Sequence, residues 1–312
     1  MSKKSTQIEN IHVYGAIVSN FIIAVSKFMV ASITGSSAML SEGIHSTADT
    51  GNQFLMLLGI RESKKSPNDL HPFGRGKELY FWSLIVALIL FGVGGGMSIY
   101  EGITHIQHPM ELSDPIWNYI VLGIAFVVEG VSQAIAYREF LHQKLEGESA
   151  WHSIRTCKDP TIFVVLFENA AALAGILVAA VGVFLSHQFN APVIDGIASI
   201  IIGIILAAIS LFLAWESRAL LIGESADLEK VDAIQKIVQE DEAVLTAGRP
   251  LTMHFGPDQI LLNISVNFDP ELSFPDLTQA IQRIERKIQE EFPRVRQIFL
   301  EAATLANPTE TK

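Results

Sequence analysis

Long hydrophobic stretches separated by short polar segments fill the first two thirds of the chain. Tyr80–Tyr100 and Gly196–Ala214 contain no charged residue, and each is about 20 residues long, the length of a helix that crosses a hydrocarbon core. Four further stretches are similar but carry isolated polar or charged residues. The pattern predicts six membrane-spanning helices, at residues 13–33, 36–60, 80–100, 116–137, 161–186 and 193–214. The alternative is a large soluble protein with six buried helices in its core.

The last third of the chain has the pattern of a small soluble domain. Leu228–Val238 and Phe274–Phe292 place apolar residues at helical spacing, and Gln259–Phe268 alternates apolar and polar residues as a half-buried strand does. We predict an all-α six-helix transmembrane domain at residues 1–216, followed by a small α+β, ferredoxin-like domain at residues 217–312. A domain of this size has a limited core, so we expect it to pack against a second copy.

The positive charges of the predicted loops lie on one side of the membrane. The N-terminal tail and the loops after the second and fourth spans contain these lysines and arginines: Lys3, Lys4, Arg61, Lys64, Lys65, Arg75, Lys77, Arg138, Lys144, Arg155 and Lys158. The loops on the other side contain none, and such an excess marks the cytoplasmic side. We expect both termini in the cytoplasm. The N-terminal segment lacks the pattern of a signal or transit peptide, which favours a bacterial plasma membrane.

The composition excludes several other classes of protein. Hydrophobic residues make up 49% of the chain and charged residues 18%, as expected for a membrane protein with a soluble part. The net charge of −11 argues against nucleic acid as a partner. The single cysteine, Cys157, excludes an intrachain disulfide and a cysteine-based metal site.

Polar residues recur on one face of the second predicted span. His45 and Asp49 are four residues apart and therefore share a helix face, together with Glu42 and Asn52. Ionisable groups at membrane depth are costly unless they have a partner. One interpretation is a polar seam that joins helices by hydrogen bonds. The pairing of a histidine with an aspartate favours a site for a divalent cation, with Glu42 and Asn52 near the ligands.

The fifth predicted span offers complementary ligands. Glu168 and Asn169 are adjacent and point about 100° apart on a helix, so we expect one ligand and one neighbouring group. With His45 and Asp49 they give a set of three or four ligands suited to zinc or another first-row cation. Glu129 in the fourth span has either a proton-linked role or a structural hydrogen bond.

Other polar positions have simpler predicted roles. Lys27, near the end of the first span, is expected to extend its ammonium group to the membrane interface. Asp195 opens the sixth span and is expected to cap a helix N-terminus rather than bind metal. His105 and His108 lie near acidic residues on the outer side, in a solvated loop or a low-affinity exit site.

Two sequence motifs and the layout of the chain resemble the cation diffusion facilitator family. The motifs are Ser37–Asp49, with its His-x-x-x-Asp pair, and His71–Glu78 in the following loop. The chain is most similar to the branch containing the mitochondrial zinc transporter. The resemblance implies a homodimer in the lipid bilayer that exports Zn²⁺ or a similar cation in exchange for protons by alternating access. The metal would be the transported substrate, and neither a prosthetic group nor an enzymatic activity is implied.

Several positions depart from the family pattern. Most members carry a second ligand pair on the fifth span, whereas this chain has Val165 four residues before Asn169. Arg75 replaces a second loop histidine and leaves His71 alone. His254 is the only histidine of the tail, so we expect the tail to dimerise the protein rather than to sense metal.

Three alternatives to zinc export remain at this stage. The chain could export Mn²⁺, Fe²⁺ or Co²⁺, since geometry and availability set metal selectivity. It could be an interaction or regulatory membrane protein that kept the fold and lost transport. An intramembrane metalloenzyme is disfavoured because no span supplies a second histidine or an H-E-x-x-H motif.

Overall fold

The computed structural model describes residues 20–109, 115–143 and 158–302. The chain forms two compact units. The first unit contains the residues up to Arg61 together with Phe81–Arg218, and the second combines Glu62–Tyr80 with the segment from Ala219 onward. Cys157 and the N-terminal part of the first predicted span lie outside the described residues. The predicted domain boundary at residue 216 stays a prediction.

The described part of the first unit is helical. Its helices are α1 (Asn20–Thr34), α2 (Ser37–Ser63), α3 (Glu78–Ile89), α4 (Met97–Gln107), α5 (Ile116–Gln143), α6 (Pro160–Phe189) and α7 (Val193–Ile222), and a π-helical turn at Leu90–Gly96 joins α3 to α4. The continuous run from α3 to α4, and α5, α6 and α7, are long and apolar enough to cross a membrane. Helix α2 has 27 residues, but its polar side chains keep it out of this group. Four apolar spans are therefore present in the part of the chain described, and six stays a prediction.

The N-terminus of α2 is capped by a side chain from α7. The carboxylate of Asp195 accepts hydrogen bonds from the backbone N–H groups of Ser37 and Ala38 and from the hydroxyl of Ser36 at 2.8 Å. These are N–H groups that a helix leaves without intrahelical partners, and a negative charge there is also favoured by the helix dipole. Asp195 thus caps a helix, but the helix is α2 and not the one in which it lies.

Helix α7 approaches the π-helical turn and α4 closely through glycines. A Cβ at Gly102 would lie 2.5 Å from the carbonyl oxygen of Gly196, and one at Gly203 would lie 2.8 Å from that of Gly95. Small residues allow this approach of two backbones, which is a common way of packing helices in membranes.

The second unit contains a small α+β fold. Its elements are α8 (Leu228–Gln239), β1 (Val244–Ala247), β2 (Leu251–Gly256), β3 (Gln259–Phe268), α9 (Phe274–Glu291) and β4 (Val295–Ala302). Strand β3 is central: it pairs antiparallel with β1 and β2 and parallel with β4. The apolar faces of α8 and α9 pack on the sheet around Ile234, Leu262 and Ile284. The sheet and helices confirm an α+β domain, and its ferredoxin-like character stays a prediction.

The loop between α2 and α3 packs against β2 within this unit. The rings of Phe73 and Phe255 lie 5.3 Å apart, and the Lys77 ammonium lies 5.0 Å from the centre of the Phe255 ring. At Gly76 an added Cβ would fall 2.2 Å from the carbonyl oxygen of Phe255. The loop backbone therefore touches the strand directly, and only glycine fits at that point.

Candidate metal centre

One face of α2 is lined with buried polar side chains. Glu42, His45 and Asn52 are completely buried, and Asp49 is nearly so. The helical spacing of three and four residues brings these side chains to the same side of α2. The face packs inside the helical unit, where polar atoms without partners are costly.

His45 and Asp49 point at each other across one turn of α2. His45 Nδ1 lies 3.3 Å from Asp49 Oδ1. Both ring nitrogens of His45 and this oxygen of Asp49 lack a hydrogen-bond partner within the described part of the chain. Buried polar atoms are ordinarily satisfied, so these three need an explanation. A neutral imidazole and a carboxylate oxygen are ligands that suit zinc and other first-row divalent cations.

Glu168 faces α2 from the neighbouring helix α6. Its Oε1 accepts a hydrogen bond of 2.7 Å from Asn52 Nδ2. Asn169 points elsewhere, since its Nδ2 donates a hydrogen bond of 3.0 Å to Ser132 Oγ on α5. The two adjacent side chains of α6 thus reach two different helices, and in this conformation only Glu168 lies on the side of α2.

Lys27 contributes a buried positive charge that the sequence analysis placed at the membrane interface. The expectation for Lys27 was wrong: its side chain is completely buried. Its Nζ donates hydrogen bonds of 2.9 Å to Glu42 Oε2 and of 2.8 Å to Ser46 Oγ. A carboxylate and a hydroxyl on α2 accept hydrogen bonds from the ammonium group inside the helical unit. These bonds replace the contacts with water that the group would otherwise make.

Glu42 is held from a second side by α6. A Cβ added at Gly175 would lie 2.3 Å from Glu42 Oε1, so the carboxylate fills the space that the glycine leaves. That oxygen has no hydrogen-bond partner among the residues described. Neither Lys27 nor Gly175 was assigned to the site from sequence. The available signal was a lone lysine in one hydrophobic stretch and a lone glutamate in the next.

Negative charge exceeds positive charge around this cluster. Asp49 lies within electrostatic range of Glu168, Glu129 and Glu42 and of one cation, Lys27. Glu129, on α5, is itself buried and feels the charges of Lys27 and Glu42. Among the described residues, Asp49 thus shares its surroundings with three further carboxyl groups and one amino group, so additional positive charge, as protons or as a metal ion, would stabilise the cluster.

The ligands are near one another but do not close around an ion in this conformation. Within residues 20–109, 115–143 and 158–302, no three histidine, cysteine, aspartate or glutamate side chains converge tightly enough to hold a metal. Binding to His45, Asp49 and Glu168 together therefore requires their side chains to move toward one another. The Asn52 hydrogen bond to Glu168 is one contact that such a movement would change.

The histidines outside the proposed ligand set lie in different environments. His105 is buried, with its Nε2 lacking a described hydrogen-bond partner, whereas His108 is exposed. His71 is exposed beside Asn68, and the Arg75 guanidinium pairs with Glu62 at 3.5 Å. His254 is buried in β2, where its backbone N–H donates a hydrogen bond of 3.1 Å to the carbonyl oxygen of Glu224.

The apolar helices and the comparisons with known proteins define the class of the chain. It is a multi-pass integral membrane protein. A family profile described as "Cation efflux transmembrane domain" matches residues 13–222. The chain belongs to this cation efflux family, which confirms the resemblance noted in the sequence and indicates a transport protein rather than an enzyme.

Curated relatives agree with this assignment. The chain is 31% identical over 277 residues to "Proton-coupled zinc antiporter SLC30A9, mitochondrial" of Homo sapiens, a match covering 86% of the chain and 49% of that protein. It is 27% identical to "Metal tolerance protein C4" of Arabidopsis thaliana over 95% of the chain and 73% of the relative. It is 24% identical to "Manganese efflux system protein MneP" of Bacillus subtilis over 96% of the chain and 97% of the relative. The chain spans about half the length of the human protein.

Proposed function

We propose that the protein transports divalent metal cations across a membrane, and that it exchanges Zn²⁺ for protons by alternating access. The observation that carries this proposal is the buried His45–Asp49 pair, whose facing atoms lie 3.3 Å apart and make no hydrogen bond in the described structure. Membership of the cation efflux family and the printed name of the human relative support the same function.

The proposed metal site consists of His45, Asp49 and Glu168. Asn169 is a further candidate ligand, although its Nδ2 is hydrogen-bonded to Ser132 on α5 in this conformation. Glu42, Asn52 and Glu129 surround the ligands: Asn52 orients Glu168, and the two acids add negative charge that attracts a cation. The metal is the transported substrate in this proposal.

Exchange for protons follows from the chemistry of these ligands. A metal ion needs a neutral imidazole at His45 and ionised carboxylates at Asp49 and Glu168, and protons compete for the same atoms. On the side of higher proton concentration the protons displace the metal, and on the cytoplasmic side the metal displaces the protons. We further propose that residues 217–312 hold two protomers together and that both termini face the cytoplasm.

Metal uptake into proteoliposomes under an imposed pH gradient tests the proposal. Wild type should accumulate Zn²⁺, and Asp49→Ala and Glu168→Gln should not. Asp232→Ala, at an exposed position of α8, is the matched control and should transport normally. Normal gradient-driven uptake by Asp49→Ala would reject the site, and loss in Asp49→Ala alone would remove Glu168 from the ligands.

The same assay distinguishes zinc transport from two other functions. The printed name of the Bacillus subtilis relative favours manganese as the competing substrate, so Mn²⁺, Fe²⁺ and Co²⁺ are measured beside Zn²⁺. His45→Asp should retain transport but shift preference toward Mn²⁺, because it replaces a nitrogen ligand by oxygen. The neutral Asn169 is the feature that favours a regulatory protein without transport, and absence of flux for every metal would reject the transport proposal and leave that alternative.

A further inference from the structure

Lys27 is a cation built into the neighbourhood of the candidate metal site. Its side chain is completely buried, and its Nζ contacts Glu42 at 2.9 Å and Ser46 at 2.8 Å. Glu42 and Ser46 flank His45 on α2. The two hydrogen bonds pair the buried amino group with an acid and a hydroxyl, so that neither the lysine nor Glu42 is buried without a partner.

Glu42 is fixed between this lysine and α6. Lys27 holds Oε2, and the space left by Gly175 holds Oε1, which an added Cβ would approach to 2.3 Å. The carboxylate therefore lies between the lysine and α6 in this conformation. Lys27 and Glu42 contribute one positive and one negative charge to the cluster, so together they leave its net charge unchanged.

The charge of Lys27 also acts on one carboxylate proposed to bind metal, Asp49, and on one beside the site, Glu129. Interactions between charges are strong and reach several ångströms where water is excluded, so a fixed ammonium group opposes a divalent ion bound nearby. Its presence lowers the net negative charge that the metal encounters.

We propose that Lys27 is an affinity-determining residue of the transport site. Its side chain neutralises the charge of Glu42 and keeps the affinity for the transported cation low enough for release. This inference rests on the proposed function. A transporter must release its substrate in every cycle, and four buried carboxylates without a resident cation would hold a divalent ion too tightly for rapid turnover.

Calorimetric titration of Zn²⁺ into the purified full-length protein in detergent tests the inference. The variants are Lys27→Met, Glu42→Gln, the double variant and Lys27→Arg. Lys158→Met is the matched control, because Lys158 also pairs with a glutamate, Glu216, at 3.5 Å. Asp49→Ala identifies the binding event that belongs to the proposed transport site.

The expected results follow from the charges. Lys27→Met removes a positive charge near the ion and should lower the Zn²⁺ Kd about tenfold. Glu42→Gln removes a negative charge near the ion and should raise the Kd about tenfold. The double variant should return to within about twofold of wild type, since the two effects then cancel. Lys27→Arg keeps the charge and should change little, and Lys158→Met should change nothing.

Each other outcome has a definite meaning. If Lys27→Met does not fold, the comparison of Glu42→Gln with the double variant decides, because neither protein has a carboxylate at position 42 that has lost its lysine partner. The inference is overturned if removing Lys27 tightens Zn²⁺ binding neither in the wild-type nor in the Glu42→Gln background. It is also overturned if the removal weakens Zn²⁺ binding, as the loss of a purely structural contact would. That result would leave the proposed function standing. Wild type without an Asp49-dependent binding event would overturn both.

Discussion

Asn52 on α2 donates a hydrogen bond of 2.7 Å to the carboxylate of Glu168 on α6. Both side chains are buried, so this bond joins the polar face of α2 to the neighbouring helix where water does not compete. An ion held by Glu168 and by the ligands of α2 would share this carboxylate with the Asn52 amide. The bond therefore positions the proposed ligand and also resists its movement.

Removing the amide of Asn52 should destabilise the protein. In Asn52→Leu the Glu168 carboxylate stays buried and loses its donor, which costs about 1–3 kcal/mol. Thermal unfolding in detergent should show a lower midpoint for this variant. In a Glu168→Met background the same substitution should cost much less, because the carboxylate is then absent. An equal loss in both backgrounds would mean that Asn52 acts through other contacts.

The cap that Asp195 provides should matter for α2. Asp195→Ala removes an acceptor from the backbone N–H groups of Ser37 and Ala38, and a lost cap costs about 0.5–2 kcal/mol. Hydrogen exchange should become faster in the first turn of α2. Asp195→Asn keeps an acceptor oxygen and should show a smaller effect. Unchanged exchange in Asp195→Ala would contradict the capping role.

Gly76 should not tolerate a side chain. The added methyl group of Gly76→Ala would meet the backbone oxygen of Phe255 at 2.2 Å, and backbone cannot move aside as a flexible side chain can. Overpacking of this kind costs about 1–3 kcal/mol. Limited proteolysis should cut the loop at residues 62–80 faster than in wild type. Gly123→Ala, where nothing lies within 4 Å, is the control and should behave as wild type.

The ion pair between Asp241 and Arg283 should make the α+β unit sensitive to acid. Two hydrogen bonds of 2.7 Å from the Arg283 guanidinium hold the pKa of Asp241 below its ordinary value. A lowered folded-state pKa contributes stability above the unfolded-state value, and this contribution is lost as the pH falls below about 4.

Hydrogen exchange measured on peptides of α9, corrected for intrinsic rates, checks this expectation. Protection should fall between neutral and acid pH in wild type, and Asp241→Asn should show lower protection at neutral pH with a smaller further loss. Asp232→Asn, at an exposed position, is the control and should follow wild type. A pH profile in Asp241→Asn identical to that of wild type would assign the acid sensitivity to other groups.

Local patterns predicted the parts of the structure that depend on neighbours in sequence. Strand β3 occupies the predicted residues, Gln259–Phe268, because alternation with period two is visible along a single segment. The common face of His45 and Asp49 followed in the same way from helical spacing.

Contacts between helices were harder to predict. The position of Lys27 along α1 can be read from the sequence, but the helix that lies beside it cannot, so its pairing with Glu42 could not be foreseen. The different directions of Glu168 and Asn169 were expected from their offset of about 100°. Their partners, Asn52 and Ser132, lie on different helices, and helix packing decides which of them is within reach.

The close fit of Glu42 against Gly175 links two positions that are far apart in the chain. Their combined volume is limited, because a Cβ at 175 would lie 2.3 Å from the carboxylate. Alanine at 175 would therefore displace the end of the Glu42 side chain and disturb its hydrogen bond with Lys27. Substitutions at these three positions should therefore be coupled during evolution, since each changes the space or the charge that the other two meet.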